Sequence, residues 1–376
     1  MKKLIYNIHL VLGLVSGIIV FIVAITGCAY VFKSEIEEIT QPWRRVDAQV
    51  NESFLPPSEL KPVAQAVYPE RLLHGISYGR YDDAAEVLFY EPKPLFYQGI
   101  ILNPYTGDII KVKNYKKDFF HFILQGHFQL WLPSNIGQPI IAIAILVFVL
   151  LLISGIVLWW PKRNATRQSF QVKWAAPWKR KLYDLHSVLG IYVWLVLLVI
   201  AITGLVWGFQ WFSKGLYSLT GGEKDLAFSV PISDSTAISS FRTGNPVDYV
   251  WQKMHADYPE ATAIEVHFPH DQYESIYAHV NPSDKTYWKT DFRYFDQYTL
   301  NEIEVDNVWG KLENASAADI IRRMNYDIHT GAIGGISGKI LAFLASLIAA
   351  SLPITGFLMW WKMRNEKSKL RKELEI

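Results

Sequence analysis

The alternation of apolar and polar positions divides the chain sharply. Four runs are long, apolar and nearly free of charge, at 8–32, 139–160, 188–212 and 340–361. Each holds 22 to 25 residues, enough for a helix across a hydrocarbon core of about 30 Å. A helix satisfies its own backbone in lipid, so four spanning helices are expected. Between the runs the pattern changes. "SELKPVAQAVYP" at 58–69 and "PVDYVWQKMHADYP" at 246–259 have the spacing of short amphipathic helices. "AEVLFYEP" and "SIYAHVNP" alternate as strands do. "GIILNPYTGDIIKV" and "RYFDQYTLNEIEV" each read as two strands around a tight turn, with turn residues at Asn103–Gly107 and Asp296–Thr299.

The pattern repeats. Thr26 lies 17 residues after His9, and Thr203 lies 17 after His186. "ISGIVLWWPKR" at 153–163 mirrors "ITGFLMWWKMR" at 354–364. The expected fold is therefore an α-helical membrane protein, with four transmembrane helices in two repeated pairs and two external α+β modules. The expected boundaries are helix 1 over 4–33, module 1 over 34–120, helix 2 over 121–161 and a basic loop over 162–180. Helix 3 follows over 181–213, module 2 over 214–322, helix 4 over 323–363 and a tail over 364–376.

The net charge of +2 gives no reason to expect nucleic acid as a partner. Its distribution is more telling. Lys2 and Lys3, the loop residues Lys162, Arg163, Arg167, Lys173, Lys179, Arg180 and Lys181, and a basic tail all fall on one side of the four helices. The positive-inside rule places both termini and the loop in the cytoplasm and the two long segments outside. Tryptophans at 131, 159, 160, 207, 211, 360 and 361 sit near helix ends, as interfacial belts do. The single cysteine, Cys28, excludes an internal disulfide framework. The first apolar run continues past it, which disfavours a cleaved leader.

Histidine carries the candidate chemistry. His9 and His186 open helices 1 and 3; His127 and His329 precede helices 2 and 4. Each pair takes one residue from each repeat, one pair near the cytoplasmic face and the other near the outer face. Two imidazoles from different helices are what the iron of a six-coordinate haem needs. Small residues accompany them: Gly13 and Gly17 at i+4 and i+8 from His9, Gly190 at i+4 from His186, and "TGAIGGISG" after His329. Any haem would be non-covalent haem b, two per chain, since no CxxCH is present. Lys2, Lys3, Arg180 and Lys181 on one side, and Lys116, Lys117, Arg322 and Arg323 on the other, are candidates to meet haem propionates. Zinc would need three or four converging ligands, and each layer offers two. His121 is not on the helical face of His127; it is left as a substitute ligand or a substrate-side residue. His267 and His270 in "VHFPH" are candidate metal ligands, with surface histidines near a turn as the plainer reading.

The chain resembles the PepSY-associated transmembrane (PepSY-TM) family, iron-regulated inner-membrane proteins that include ferric-siderophore reductases. "IHLVLGLVSG" with "AITG", "GHFQLWL" through "ISGIVLWWPKR", "LHSVLGIYVW" with "AITGLVW", and "IHTGAIGG" through "ITGFLMWW" carry the resemblance. "ILNPYTGDII" resembles the end of a PepSY module, although the second copy has Leu300 where a glycine is usual. The resemblance implies haem b held by His9, His186, His127 and His329 as axial ligands. It implies a bacterial inner-membrane location, electron transfer across that membrane, and reduction of a ferric siderophore on the periplasmic side to release Fe2+. The electron donor, a quinol or a cytoplasmic reductase, would lie outside the chain: the cytoplasmic segments are too short for a flavin or nicotinamide domain, and no GxGxxG follows a strand. The alternative is a non-enzymatic PepSY membrane protein that regulates a peptidase or senses a ligand, which leaves the paired histidines without a role. A haem or siderophore permease is third, disfavoured by four helices with no charge at mid-membrane.

Overall fold

The computed structural model describes residues 2–49, 52–160, 170–240, 244–283 and 286–374, with side chains except at 238–240 and 367–374. The chain forms two compact units. One comprises Met1–Lys33, Phe122–Ser213 and Asp327–Ile376; the other comprises Ser34–His121 and Lys214–Tyr326.

The first unit is helical. Four of its helices are long and apolar enough to cross a membrane: α1 (Lys2–Tyr30), α5 (Ser134–Trp159), α6 (Trp178–Gly208) and α11 (Gly335–Leu374). α1 and α6 each pack against both α5 and α11, so α1 and α6 occupy opposite corners of a four-helix square. Val20, Phe148, Leu152, Val193, Leu197, Ala201, Ala345 and Ala349 fill the middle. Large apolar side chains also point outward, among them Val11, Val15 and Ile18 on α1 and Leu195 on α6. A broad exposed apolar surface is costly in water and suits lipid.

Two stretches read as single helices are broken. The 121–161 stretch folds as α4 (Phe119–Gln129) and α5. Leu130 and Trp131 between them have positive φ, and Pro133 precedes the first residue of α5. The 323–363 stretch folds as the end of α9 (Ala317–Arg323), then α10 (Asn325–Thr330), then α11. Gly331 and Gly335 turn the chain there with positive φ. Gly331 and Gly338 approach so closely that a Cβ on either would collide with the other's carbonyl. These two glycines of "TGAIGGISG" thus serve a turn. Helices α2 (Lys33–Thr40) and α7 (Gln210–Leu219) follow α1 and α6. Of the basic loop, 162–169 lies outside the described residues, as do the side chains of Lys367, Lys369, Arg371 and Lys372.

The second unit is built on one sheet. The expected strands are present as β2 (Ala85–Pro92), β3 (Leu95–Leu102), β4 (Ile109–Asn114), β6 (Ile276–Asn281), β7 (Asp291–Phe295) and β8 (Glu302–Ile303). Two further strands, β1 (Leu73–Tyr78) and β5 (Ala263–His267), were not anticipated. They pair antiparallel with each other, Ile76 opposite Val266. The result is a single eight-stranded sheet in the order β4-β3-β2-β1-β5-β6-β7-β8, rather than two separate modules. Each half would otherwise leave β1 or β5 as an open edge, and pairing the two edges removes that liability. The amphipathic segments form α3 (Pro57–Val67) and α8 (Pro246–Asp257). Both cover the same face of the sheet. Leu60, Ala64, Val250 and Met254 bury against Ile76, Val87, Ile100, Val266 and Ala278. Asn245 caps α8 through the backbone N–H of Val247. Ser58 on α3 donates from its backbone and hydroxyl to Asp248 on α8, tying the halves together.

Candidate functional site

The four histidines of the helical unit form two facing pairs. His9 on α1 and His186 on α6 reach across the diagonal of the square, ring centroids 6.4 Å apart and planes at 85°. His127 on α4 and His329 on α10 face each other at 6.1 Å and 67°. The pairs lie at different depths. His9 meets Ser154 near the end of α5, whereas His127 meets Val23 and Thr26 near the end of α1. At a rise of about 1.5 Å per residue, the helix from His9 to Thr26 separates the two layers by about 25 Å.

Each imidazole is anchored through Nδ1. The Nδ1 of His186 is 3.1 Å from Leu352 O and 3.0 Å from Thr355 Oγ1. That of His329 is 3.0 Å from Ile200 O and 3.0 Å from Thr203 Oγ1. That of His127 is 2.9 Å from Val23 O and 3.3 Å from Thr26 Oγ1. A carbonyl only accepts, so in these three the proton sits on Nδ1. His9 Nδ1 lies 2.8 Å from Ser154 Oγ, which itself donates to Leu151 O. Its hydroxyl proton is spent there, so Nδ1 donates here too. All four Nε2 atoms are then left with a lone pair, the form that binds a metal.

A glycine stands against each ring, most tightly at Gly27. Cβ atoms built on Gly27, Gly204 and Gly356 would stand 3.1, 3.4 and 3.4 Å from Cε1 of His127, His329 and His186, and on Gly155 3.6 Å from Cε1 of His9. A helical side chain covers the turn N-terminal to its own Cα. Gly27, Gly204 and Gly356 each lie four residues after the carbonyl that its histidine uses, so the missing side chain is the one that would shield it. The hydroxyl residue stands one position earlier each time.

These eight partners, Ser154-Gly155, Thr355-Gly356, Thr26-Gly27 and Thr203-Gly204, were missed as site residues. The signal was a fourfold Ile-Ser/Thr-Gly at 25–27, 153–155, 202–204 and 354–356. Gly13 and Gly190 are placed differently: a Cβ on either would make ordinary contact with Leu151 or Leu352, at 3.9 and 3.8 Å. Several candidate propionate partners are otherwise engaged, Lys2 and Lys116 with the carbonyls of Trp160 and Leu95. Arg323 is buried and donates to the carbonyls of Val308, Thr290 and Gly310; Arg180 pairs with Asp184 at 2.9 Å. His121 lies beside the ring of Tyr97 in the sheet unit. His267, read as a surface residue, is only 2% exposed; its strand β5 is the centre of the sheet.

The pairs fit a bis-histidine haem. Two iron–nitrogen bonds of about 2 Å, with the nitrogen-to-centroid distance in each ring, place the centroids about 6 Å apart. Both pairs meet that spacing, with Nε2 free and Nδ1 anchored by a carbonyl or hydroxyl, as ligating histidines are.

Four apolar helices around two half-buried histidine pairs define a membrane protein with a separate antiparallel sheet unit. The model of the PepSY-associated TM region matches residues 6–363, nearly the whole chain, and the protein belongs to that family. No curated protein matches the sequence.

Proposed function

We propose that the chain is a two-haem transmembrane electron conduit that reduces ferric siderophore to release Fe2+, a membrane-bound b-type haem oxidoreductase. The observation that carries this reading is the repetition of one device four times: an anchored Nδ1, an open Nε2 and a facing partner at ligation distance. A peptidase regulator has no use for it.

When bound, the two haems supply one-electron transfer between the faces of the membrane. The chain's residues prepare for that chemistry. His9 and His186 would hold one iron, and His127 and His329 would hold the other. The Ser/Thr hydroxyls and carbonyls fix the tautomer and ring orientation. Phe148, Leu152, Val193 and Leu197 exclude water between the layers. The internal duplication supports a pseudo-twofold arrangement in which each repeat contributes one ligand per layer. The basic residues gathered at the His9 end support a bacterial inner membrane with both termini cytoplasmic and the sheet unit periplasmic. Ferric siderophores hold iron through hard oxygen donors that suit Fe2+ less well, so one electron loosens the ion. The donor is a quinol or a cytoplasmic reductase outside this chain.

The test is reduction across a sealed vesicle. Protein is reconstituted in proteoliposomes with a quinol in the bilayer or a chemical reductant inside, and a ferric hydroxamate and a ferrous chelator outside. The expected result is protein-dependent appearance of the ferrous chelate, lost in His9→Ala and in His127→Ala. A rate no greater than that of protein-free vesicles with either donor would overturn the proposal.

A further inference from the structure

The sheet face opposite α3 and α8 carries a second histidine cluster. Glu265 and His267 are two residues apart on β5, so they share a face. His279 on β6 lies directly opposite Glu265, and Tyr277 opposite His267. Ligand atoms of Glu265, His267 and His279 all lie within 4.8 Å of one another. His74 adds a third imidazole, its ring centroid 4.7 Å from that of His267. It is brought there by an irregularity in β1 between Leu73 and Gly75, of the kind that re-aims a side chain.

The cluster is built rather than incidental. The His267 ring stacks on Tyr277 with centroids 4.0 Å apart and planes within 7°. Gly75 lies opposite His267 on the other side, and a Cβ there would stand 3.0 Å from His267 Nδ1. The glycine thus gives the imidazole its place. Yet the polar atoms are unsatisfied. His267 Nδ1 and Nε2 and His279 Nε2 are buried with no hydrogen-bond partner. His267 Nε2 is 3.1 Å from Glu265 Oε1, close but not aligned as an N–H bond. Buried polar groups are costly unless bonded, and the Nε2 atoms of His267 and His279 beside one carboxylate ask for a common partner.

We propose that Glu265, His267 and His279, with His74 beside them, form a binding site for a divalent first-row metal ion of the Zn2+ or Fe2+ class. Two imidazoles and a carboxylate are a recurrent set for both ions. Bonds of about 2.1 Å place ligand atoms about 3.4 Å apart, so side-chain rotations of about an ångström close the site. The protonation states suit it. Burial, and then the charge of His267, push His74 down to about 4 and His279 down to about 3. Burial raises the Glu265 carboxyl, but His267, His279 and His74 together hold it down to about 2. At neutral pH His74 and His279 are neutral and Glu265 is ionised, which are the ligating forms. The inference does not rest on the haem pairs, which lie in the other unit.

The test uses the full chain in detergent, with any affinity tag removed and the metal stripped by EDTA. Zn2+ is the probe, by calorimetric titration and by zinc content after gel filtration. The wild type is expected to retain about one zinc per chain. His279→Ala and the isosteric Glu265→Gln are each expected to weaken binding at least about 10-fold. Zn2+ should raise the melting temperature of the wild type and not of the variants. If His279→Ala does not fold, Glu265→Gln decides. A wild type that retains no zinc, or variants that bind it as the wild type does, would overturn the proposal.

Discussion

Gly27 lies directly against the imidazole of His127, so that a Cβ on it would stand 3.1 Å from Cε1. Alanine there must displace the ring by a few tenths of an ångström, and valine by more. Gly27→Ala is expected to weaken haem binding at the His127/His329 pair by about 10-fold, as loss of an orienting partner does. Gly27→Val is expected to lower haem content from two to one per chain. Gly13→Ala, where the contact would be an ordinary 3.9 Å to Leu151, is expected to retain both. A pyridine haemochrome count separates the three.

The hydroxyl anchors are not equivalent. Among the described residues, His9 Nδ1 is bonded to Ser154 alone, whereas His186 Nδ1 also has Leu352 O. Ser154→Ala therefore leaves one ring unanchored, and Thr355→Val leaves a carbonyl in place. Ser154→Ala is expected to cost 10- to 100-fold in haem affinity at the His9/His186 pair, and Thr355→Val less than about 10-fold. Equal losses on haem transfer to an apo-acceptor would contradict the tautomer assignment.

The sheet unit should lose stability in mild acid. His74 and His279 are held down at about 4 and 3, against about 6.5 in an unfolded chain. Both folded values are depressed, so the unfolded state takes up protons first as pH falls. Stability is full above about 6.5 and declines toward 3. Glu265, held at about 2, acts with the same sign between about 4.5 and 2. Thermal melts followed by tryptophan fluorescence should show a lower midpoint at pH 5 than at pH 7.5, and His279→Gln should flatten the slope.

Two equivalent turns give a matched pair of substitutions. Gly107 has φ 77° and Leu300 has φ 60°, each after a turn whose first residue, Asn103 or Asp296, accepts from backbone N–H groups. Left-handed backbone costs a non-glycine residue about 1–2 kcal/mol. Gly107→Ala is expected to destabilise by about that amount. Leu300→Gly relieves it, less about 0.5–1 kcal/mol for the freer unfolded chain, and is expected to be neutral to mildly stabilising. Chemical denaturation in detergent checks both signs.

The four spans were legible because long apolar runs have one physical reading, and β2 because "AEVLFYEP" alternates cleanly. The histidine pairs were legible from repeat arithmetic. The breaks at Leu130–Trp131 and Gly331–Gly335 were not, because hydropathy continues across them. β1 and β5 escaped because "LHGISY" and "AIEVH" put histidine, glycine and glutamate on the face opposite α3 and α8, which weakens the strand pattern. Joining the halves into one sheet depends on two edges distant in sequence finding each other, and local periodicity carries no trace of that. The Ser/Thr-Gly pairs were visible as a recurrence, yet their role emerges only when a neighbouring helix brings an imidazole against them.

The most direct test of the central claim is an optical spectrum of the detergent-purified protein, oxidised and dithionite-reduced, with a pyridine haemochrome count. Low-spin b-type bands are expected at about two haems per chain, falling to one in His9→Ala and to one in His127→Ala. A protein that stays colourless after haem supplementation would contradict that claim.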